Sequence, residues 1–260
     1  MTDESNFFSL DKPEILPFFF YPRKWSTNPP SGARDYMVLV DRDVSIACRF
    51  HVHAPESPSL LLFHGYTRVV SNYDPLAPMY RSHCMNLFVA DYRGYGRSGG
   101  TPTFSNMVAD AHHVFNAFRE VLREGGYSSK VFVNGQSLGS VPAIDVAACH
   151  GNSIDGLIIE GAFGTMKRLK ALAGLSEDQL STTDEAFPNV SGIRKVGART
   201  LVLHAEADEL IPLVETQELF DNAAAEDKRL VVIPGTDHHD IATRDPDLYF
   251  RIIEDFVFGR

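Results

Sequence analysis

Val131-Phe132-Val133-Asn134-Gly135-Gln136-Ser137-Leu138-Gly139 carries an apolar strand straight into a turn, and the turn straight into a helix over Leu138–His150. Gly135, Ser137 and Gly139 match the pattern Gly-x-Ser-x-Gly. The pattern alone is common by chance. A strand entering it and a helix leaving it make it specific. The two glycines are needed because the serine sits on a sharp, strained turn, where a side chain on either flank would collide with neighbouring backbone. Such a turn lifts the Ser137 hydroxyl above the edge of a sheet, where ligands bind in open α/β folds. Pro142 is tolerated because it falls near the start of the helix.

The same rhythm extends outward from this point. Leu60-Leu61-Leu62-Phe63 is a continuous apolar run, as expected of a strand buried on both faces. Leu87-Phe88-Val89-Ala90 is a strand ending at Asp91. Met107, Ala111, Val114, Phe115, Phe118, Val121 and Leu122 recur at helical spacing, and Gly125-Gly126 stops that helix. Leu157-Ile158-Ile159, Leu201-Val202-Leu203 and Leu230-Val231-Val232-Ile233 are further strands. Helices are expected over Pro212–Ala223 and Pro246–Phe258. Ahead of them all, Tyr36–Val40 and Val44–His53 read as an antiparallel hairpin around Asp41-Arg42-Asp43. In the second arm Ile46, Cys48, Phe50 and Val52 alternate onto one face. Alternating strands and helices imply parallel strands with right-handed crossovers. The expected fold class is therefore α/β, a mostly parallel, doubly wound sheet of about eight strands with an N-terminal antiparallel hairpin.

No Pro/Gly/Ser-rich linker divides the chain, so residues 1–260 read as one domain. Residues 1–35 form an N-terminal arm, in which Phe18-Phe19-Phe20-Tyr21-Pro22 and Trp25 pack on the core. A pocket lip or an interfacial anchor is the alternative for this aromatic run, although Pro17 and Pro22 forbid a long amphipathic helix there. Residues 162–193 break the strand-helix rhythm. They read as a small cap folded over the carboxyl ends of the strands, or as an ordinary helix with a long loop.

Composition narrows the function. A formal net charge of −10 disfavours nucleic acid, whose phosphates demand a basic surface, and a polybasic membrane contact. Cys48, Cys84 and Cys149 are odd in number and far apart, with no C-x-x-C pair. Spacing therefore predicts neither a disulfide framework nor a structural zinc site. Residues 1–10 lack the basic and apolar regions of a secretory signal, and no run approaches the length of a membrane span. A soluble, cytoplasmic protein is expected.

A serine hydroxyl is a weak nucleophile and needs a base. His238 and His239 follow the last strand, in Pro234-Gly235-Thr236-Asp237-His238-His239-Asp240. A metal on Asp-His-His-Asp is disfavoured, since adjacent histidines in a loop rarely converge on one ion. An acid should follow the preceding strand, to orient the imidazole. Asp208 stands there, with Glu206 beside it and Glu160 after an earlier strand as alternatives. Two N–H donors are needed for an oxyanion. Leu138, next after the nucleophile, offers one, and Tyr66 of His64-Gly65-Tyr66 is the candidate for the other. His64 itself reads as a buried orienting residue.

Together His64-Gly65, Asp91-Tyr92-Arg93-Gly94-Tyr95-Gly96-Arg97-Ser98, Gly135-Gln136-Ser137-Leu138-Gly139, Asp208 and His238 resemble the α/β-hydrolase superfamily. The likeness covers nearly all the chain from about Tyr36 onward. The Asp91–Ser98 run is similar to the Bem46-like and depalmitoylase-like branch, as is Val141-Pro142 after the serine motif. The resemblance implies that Asp91–Ser98 is a structural turn and that His238 is the base, with His239 in a position usually held by Asn. Two departures count against a lipidated protein as substrate. There is no cysteine before Cys48, where depalmitoylating members carry a cluster, and Tyr66 replaces a small residue.

The expected activity is hydrolysis of a small-molecule carboxylic ester or thioester through an acyl-enzyme on Ser137, His238 and Asp208, with no metal or organic cofactor. A peptidase or amidase on the same residues, or a non-catalytic binding protein, are the rivals. Lys167, Arg168 and Lys170 read as a solvated face, with an anionic coenzyme A phosphate as the alternative partner. An epoxide hydrolase or dehalogenase is disfavoured, because those place a carboxylate where Ser137 stands.

Overall fold

The computed structural model describes residues 10–128, 130–164 and 188–260. Eight strands form one sheet: β1 (Ala33–Asp41), β2 (Val44–His51), β3 (Ser59–Phe63), β4 (Asn86–Ala90), β5 (Val131–Gln136), β6 (Gly156–Glu160), β7 (Arg199–Ala205) and β8 (Lys228–Ile233). Their order in space is β1-β2-β4-β3-β5-β6-β7-β8. The β1–β2 and β2–β4 pairs are antiparallel, and every pair from β4 across to β8 is parallel. This is the expected α/β sheet with its antiparallel N-terminal hairpin.

Helices cover both faces. They are α1 (Leu16–Phe19), α2 (Ala77–Ser82), α3 (Phe104–Glu124), α4 (Ser140–His150), α5 (Pro188–Ile193), α6 (Leu213–Asn222) and α7 (Pro246–Phe258). One core cluster joins Phe115 and Phe118 of α3 and Ile144 of α4 to Leu61 and Val133 of the sheet. The opposite cluster joins Tyr80 of α2 and Tyr249, Phe250 and Ile253 of α7 to Leu60, Leu62 and Leu201. Neighbouring residues of β3 therefore face different cores, which is why Leu60–Phe63 is apolar without alternation.

Helix ends follow local chemistry. Thr103 caps α3 by accepting the N–H of Asn106, and Asn106 returns a bond to Thr103 N–H, a reciprocal capping pair. Asp245 caps α7 by accepting Leu248 N–H at 3.0 Å. The short helical segments at Val70–Tyr73 and Ala77–Ser82 are not announced by sequence periodicity. The cap expected over 162–193 lies largely outside the described residues.

The alternation expected in β2 is incomplete. Ile46, Cys48 and Phe50 are buried as anticipated, but so are Arg49 and His51 on the other face. Arg49 is held by Asp35, Asp74 and the Thr27 carbonyl, which together satisfy its buried guanidinium. His51 is buried 3.5 Å from Asp74. Burial lowers its pKa to about 4, against the opposing pull of Asp74. The unfolded chain therefore takes up this proton at higher pH than the native one. Stability from a neutral His51 is full above about pH 6.5 and falls as pH drops toward 4. We expect chemical denaturation to show a loss on the order of 3 kcal/mol across that window, and His51→Phe to flatten it. An equally steep loss in a folded His51→Phe protein would place the proton uptake elsewhere.

Candidate active site

The turn between β5 and α4 is as tight as its glycines require. Ser137 has φ +51°, in the left-handed region that a side chain rarely adopts. A Cβ on Gly135 would lie 2.5 Å from Gly139 O and 2.7 Å from Ser140 Cα. One on Gly139 would press into the backbone carbonyl of Phe63. Strand, strained serine and helix thus pack with no space for a larger residue at either flank.

The loops after β7 and β8 bring two groups to this serine. His238 Nε2 lies 3.0 Å from Ser137 Oγ. His238 Nδ1 lies 2.7 Å from Asp208 Oδ2. The other carboxylate oxygen of Asp208 accepts the N–H of Ile211 at 2.8 Å and that of Leu210 at 3.0 Å. Burial alone would raise the Asp208 pKa, but bonds from His238 and from Ile211 N–H outweigh it and hold the group below the usual carboxylate range. Asp208 is therefore the anion that faces the imidazole. Once His238 Nδ1 carries the proton bonded to Asp208, Nε2 is left as an acceptor toward Ser137.

The alternatives raised by the sequence are placed differently. Glu206 is exposed and accepts Gly235 N–H at 2.8 Å. His239 is exposed, and its N–H is held by Asp237. Glu160 is buried at the end of β6, where it accepts Asn134 Nδ2, Tyr249 Oη and Gln136 Nε2. Burial raises its pKa, and the three hydrogen bonds only partly oppose this. Tyr73 Oη in turn donates to Gln136 Oε1, so a polar line runs beneath the residue before Ser137.

The His64-Gly65-Tyr66 loop passes beside the serine: a Cβ on Gly65 would lie 3.7 Å from Ser137 Cβ. The loop's carbonyls are all engaged. Tyr92 Oη donates to His64 O, His64 Nδ1 and Arg68 N–H meet Gly65 O, and Tyr95 Oη donates to Tyr66 O. Within one trans peptide the C=O and N–H point opposite ways. The Tyr66 N–H therefore points away from His64 and Arg68. Leu138 lies in the first turn of the helical segment that continues as α4, where N–H groups have no intrahelical partner. His64 is fully buried, with Nε2 3.1 Å from Asp91 Oδ1, and does not touch the serine through any hydrogen bond found among the described residues.

A cavity of about 610 Å³ opens above these groups. Phe18, Trp25, Tyr73, Leu76, Leu210 and Ile241 contribute its apolar wall. Phe19 and Phe20 pack edge-on against Phe104, at 5.4 and 5.2 Å between centroids. The N-terminal arm thus serves as both core packing and pocket lip, two readings the sequence set against each other.

A family model described as serine aminopeptidase, S33, matches residues 54–192, just over half of the chain. Protein bem46 of Schizosaccharomyces pombe is 31% identical over 213 residues, 78% of this chain and 69% of that protein. The chain belongs to the α/β-hydrolase family, in its Bem46-like branch. Human alpha/beta hydrolase domain-containing protein 17B is 29% identical to this Bem46-like hydrolase over 89% of its chain and 76% of the human one. Among solved structures, the esterase Pf2001 of Pyrococcus furiosus superposes with a TM-score of 0.74 at 17% identity, covering 93% of this chain and 97% of that one. Est1E of Butyrivibrio proteoclasticus, with ferulic acid bound, gives 0.67 at 13% identity, covering 86% and 98%. These two likenesses concern the fold.

Gly161 is a site residue of this Bem46-like hydrolase that the sequence reading passed over. It follows β6 with φ +52°, and a Cβ there would lie 3.2 Å from both His238 Nδ1 and Cε1. The only outward signal was a glycine immediately after an apolar strand. Gly161→Ala should displace the imidazole by a few tenths of an ångström and lower kcat roughly 10- to 100-fold with little change in KM. Unchanged steady-state kinetics would show that the imidazole does not rest against this glycine.

Proposed function

We propose that this hydrolase cleaves small-molecule carboxylic esters or thioesters by acyl transfer to water, with Ser137, His238 and Asp208 as catalytic residues. The observation that carries the reading is the unbroken line from Asp208 Oδ2 through His238 to Ser137 Oγ, at 2.7 and 3.0 Å, on the floor of an apolar cavity. In the first step Ser137 Oγ bonds to the acyl carbon while His238 Nε2 takes the hydroxyl proton. The N–H groups of Tyr66 and Leu138 hold the oxyanion. His238 then gives the proton to the departing alkoxide or thiolate as the carbon–leaving-group bond breaks. A water repeats the sequence on the acyl-enzyme: His238 takes its proton, the carboxylic acid departs and the proton returns to Ser137. Asp208 remains ionised throughout and stabilises the transient imidazolium. Every step is supplied by these side chains and backbone donors, without a metal or organic cofactor.

The pocket favours ester or thioester over an N-terminal peptide. An aminopeptidase must hold a substrate ammonium. Among the described residues the pocket carboxylates are committed, Asp208 to the histidine and Glu160 to three donors. The aromatic lip suits an apolar acyl chain. Purified protein assayed on p-nitrophenyl esters of graded chain length, acyl-CoA thioesters and aminoacyl anilides tests this. Turnover of esters or thioesters, with a medium-chain optimum and negligible anilide cleavage, is expected. Preferred cleavage of aminoacyl anilides would overturn it.

Asp208→Asn should cost roughly 10⁴ in kcat. The amide keeps the carboxylate's shape but presents a donor to His238 Nδ1, which fixes the wrong tautomer. Glu160→Gln should change kcat by less than about tenfold, because Glu160 faces Asn134, Gln136 and Tyr249. The reverse ranking in steady-state assays would move the acid to β6.

A further inference from the structure

Among the described residues that line the cavity, Arg68 is the one arginine and none is a lysine. The loop that carries Tyr66 fixes where this side chain starts. Arg68 N–H donates to Gly65 O at 3.1 Å, and Arg23 Nη1 donates to the neighbouring Thr67 O at 3.2 Å. From that turn the side chain reaches the loop after β8, where Nη2 donates to His239 O at 3.5 Å. The guanidinium is exposed at the cavity mouth, between the loop of Tyr66 and the loop of His238. One long contact uses only one of its several N–H donors.

The acids of these loops are engaged elsewhere. Asp208 faces His238, Asp240 faces Arg244, and Asp237 Oδ1 accepts the N–H groups of His239 and Asp240. Among the described residues, then, none of these carboxylates pairs with Arg68. Its charge is nevertheless felt inside the cavity. Burial, with Tyr80 and Glu160, raises the pKa of the Tyr73 hydroxyl, and Arg68 opposes that rise. A fixed cation beside low-dielectric walls focuses its field on whatever enters, even in a chain of net charge −10.

We propose that Arg68 selects substrates whose leaving group carries an anion, a carboxylate or a phosphate on the departing alcohol or thiol. The side of the scissile bond follows from the neighbours of the guanidinium. His238 Nε2 must reach the departing atom to return the proton, and the carbonyl that Arg68 touches belongs to the next residue. The apolar wall of Phe18, Trp25 and Leu76 remains for the acyl chain. The planar fork of a guanidinium matches two oxygens of either anion. The proposal rests on the ester-hydrolysis reading and names its substrate class. Arg68 escapes a reading of the sequence because the carbonyl it meets lies 171 residues away.

The test uses full-length protein and two matched pairs of hexanoyl esters. One pair is p-hexanoyloxybenzoate and its methyl ester. The other is p-hexanoyloxyphenyl phosphate and its methoxy counterpart. For each pair the quantity read is kcat/KM of the anionic member over that of the neutral one. Comparing wild type with a variant cancels the intrinsic reactivity of the leaving groups. Arg68→Gln should lower this ratio roughly tenfold, as expected of one charge-assisted contact. Arg68→Lys keeps the charge without the fork and should lower it less. Arg123→Gln makes the same change of net charge on α3 and should leave the ratio as it is. Added salt should erode the ratio in the wild type more than in Arg68→Gln. A fall confined to one pair would support the proposal and identify that anion as the one recognised. Turnover of the neutral esters with both ratios unmoved by Arg68→Gln would overturn it and leave the ester-hydrolysis reading standing. Absence of turnover on all four esters would overturn both.

Discussion

Ser137→Ala is expected to lose on the order of 10⁶ in kcat while the fold persists. The size of the effect follows from what disappears. Without Oγ, His238 Nε2 has no proton to take and no acyl-enzyme forms. Only cavity binding and the proposed oxyanion donors remain. The fold should survive, because the alanine removes one hydroxyl from a position whose strain lies in the backbone, at φ +51°. Circular dichroism and thermal melting should match the wild type. Retention of most of the wild-type rate by a folded, contaminant-free variant would remove the proposed mechanism altogether.

His238→Ala should be nearly as damaging, again on the order of 10⁶, and nearly non-additive with loss of Ser137. The two side chains act as one unit: the hydroxyl is unreactive without a base, and the base has no task without the hydroxyl. His239→Ala should retain much of the activity. The adjacent ring is exposed, its plane lies at 88° to that of His238 and their centroids are 5.5 Å apart. Its contribution is to the loop, where His239 O accepts from Arg68 and the His239 N–H donates to Asp237 Oδ1. Steady-state assays of both single variants decide the matter. A crippled His239→Ala beside an active His238→Ala would shift the base by one residue.

The parts of this architecture that were legible in the sequence are those fixed by short-range chemistry. Gly135 announces a sharp turn because crowding against Gly139 and Ser140, only a few residues on, demands it, while Gly139 is held small by the Phe63 carbonyl of β3. The parallel strands show as apolar runs because both faces of β3, β4 and β6 are covered. Asp208 was placed by chain order, whereas what singles it out physically is distant in sequence. Its carboxylate is aimed by the Leu210 and Ile211 N–H groups and meets a histidine 30 residues away. The buried Arg49 could not be read from β2, since its cost is offset by Asp35 and Asp74 on other elements. Gly161 is likewise defined by the ring it makes room for. The helices at 77–82 and 188–193 are too short for periodicity to register.

The central claim is that Ser137 is an activated nucleophile, and covalent labelling tests it most directly. Incubation with a fluorophosphonate followed by peptide mass spectrometry should give one adduct per chain, on the peptide carrying Ser137. The adduct should be absent from Ser137→Ala and strongly slowed in His238→Ala. A folded wild-type protein that stays unlabelled, or one labelled at a different serine, would contradict the account.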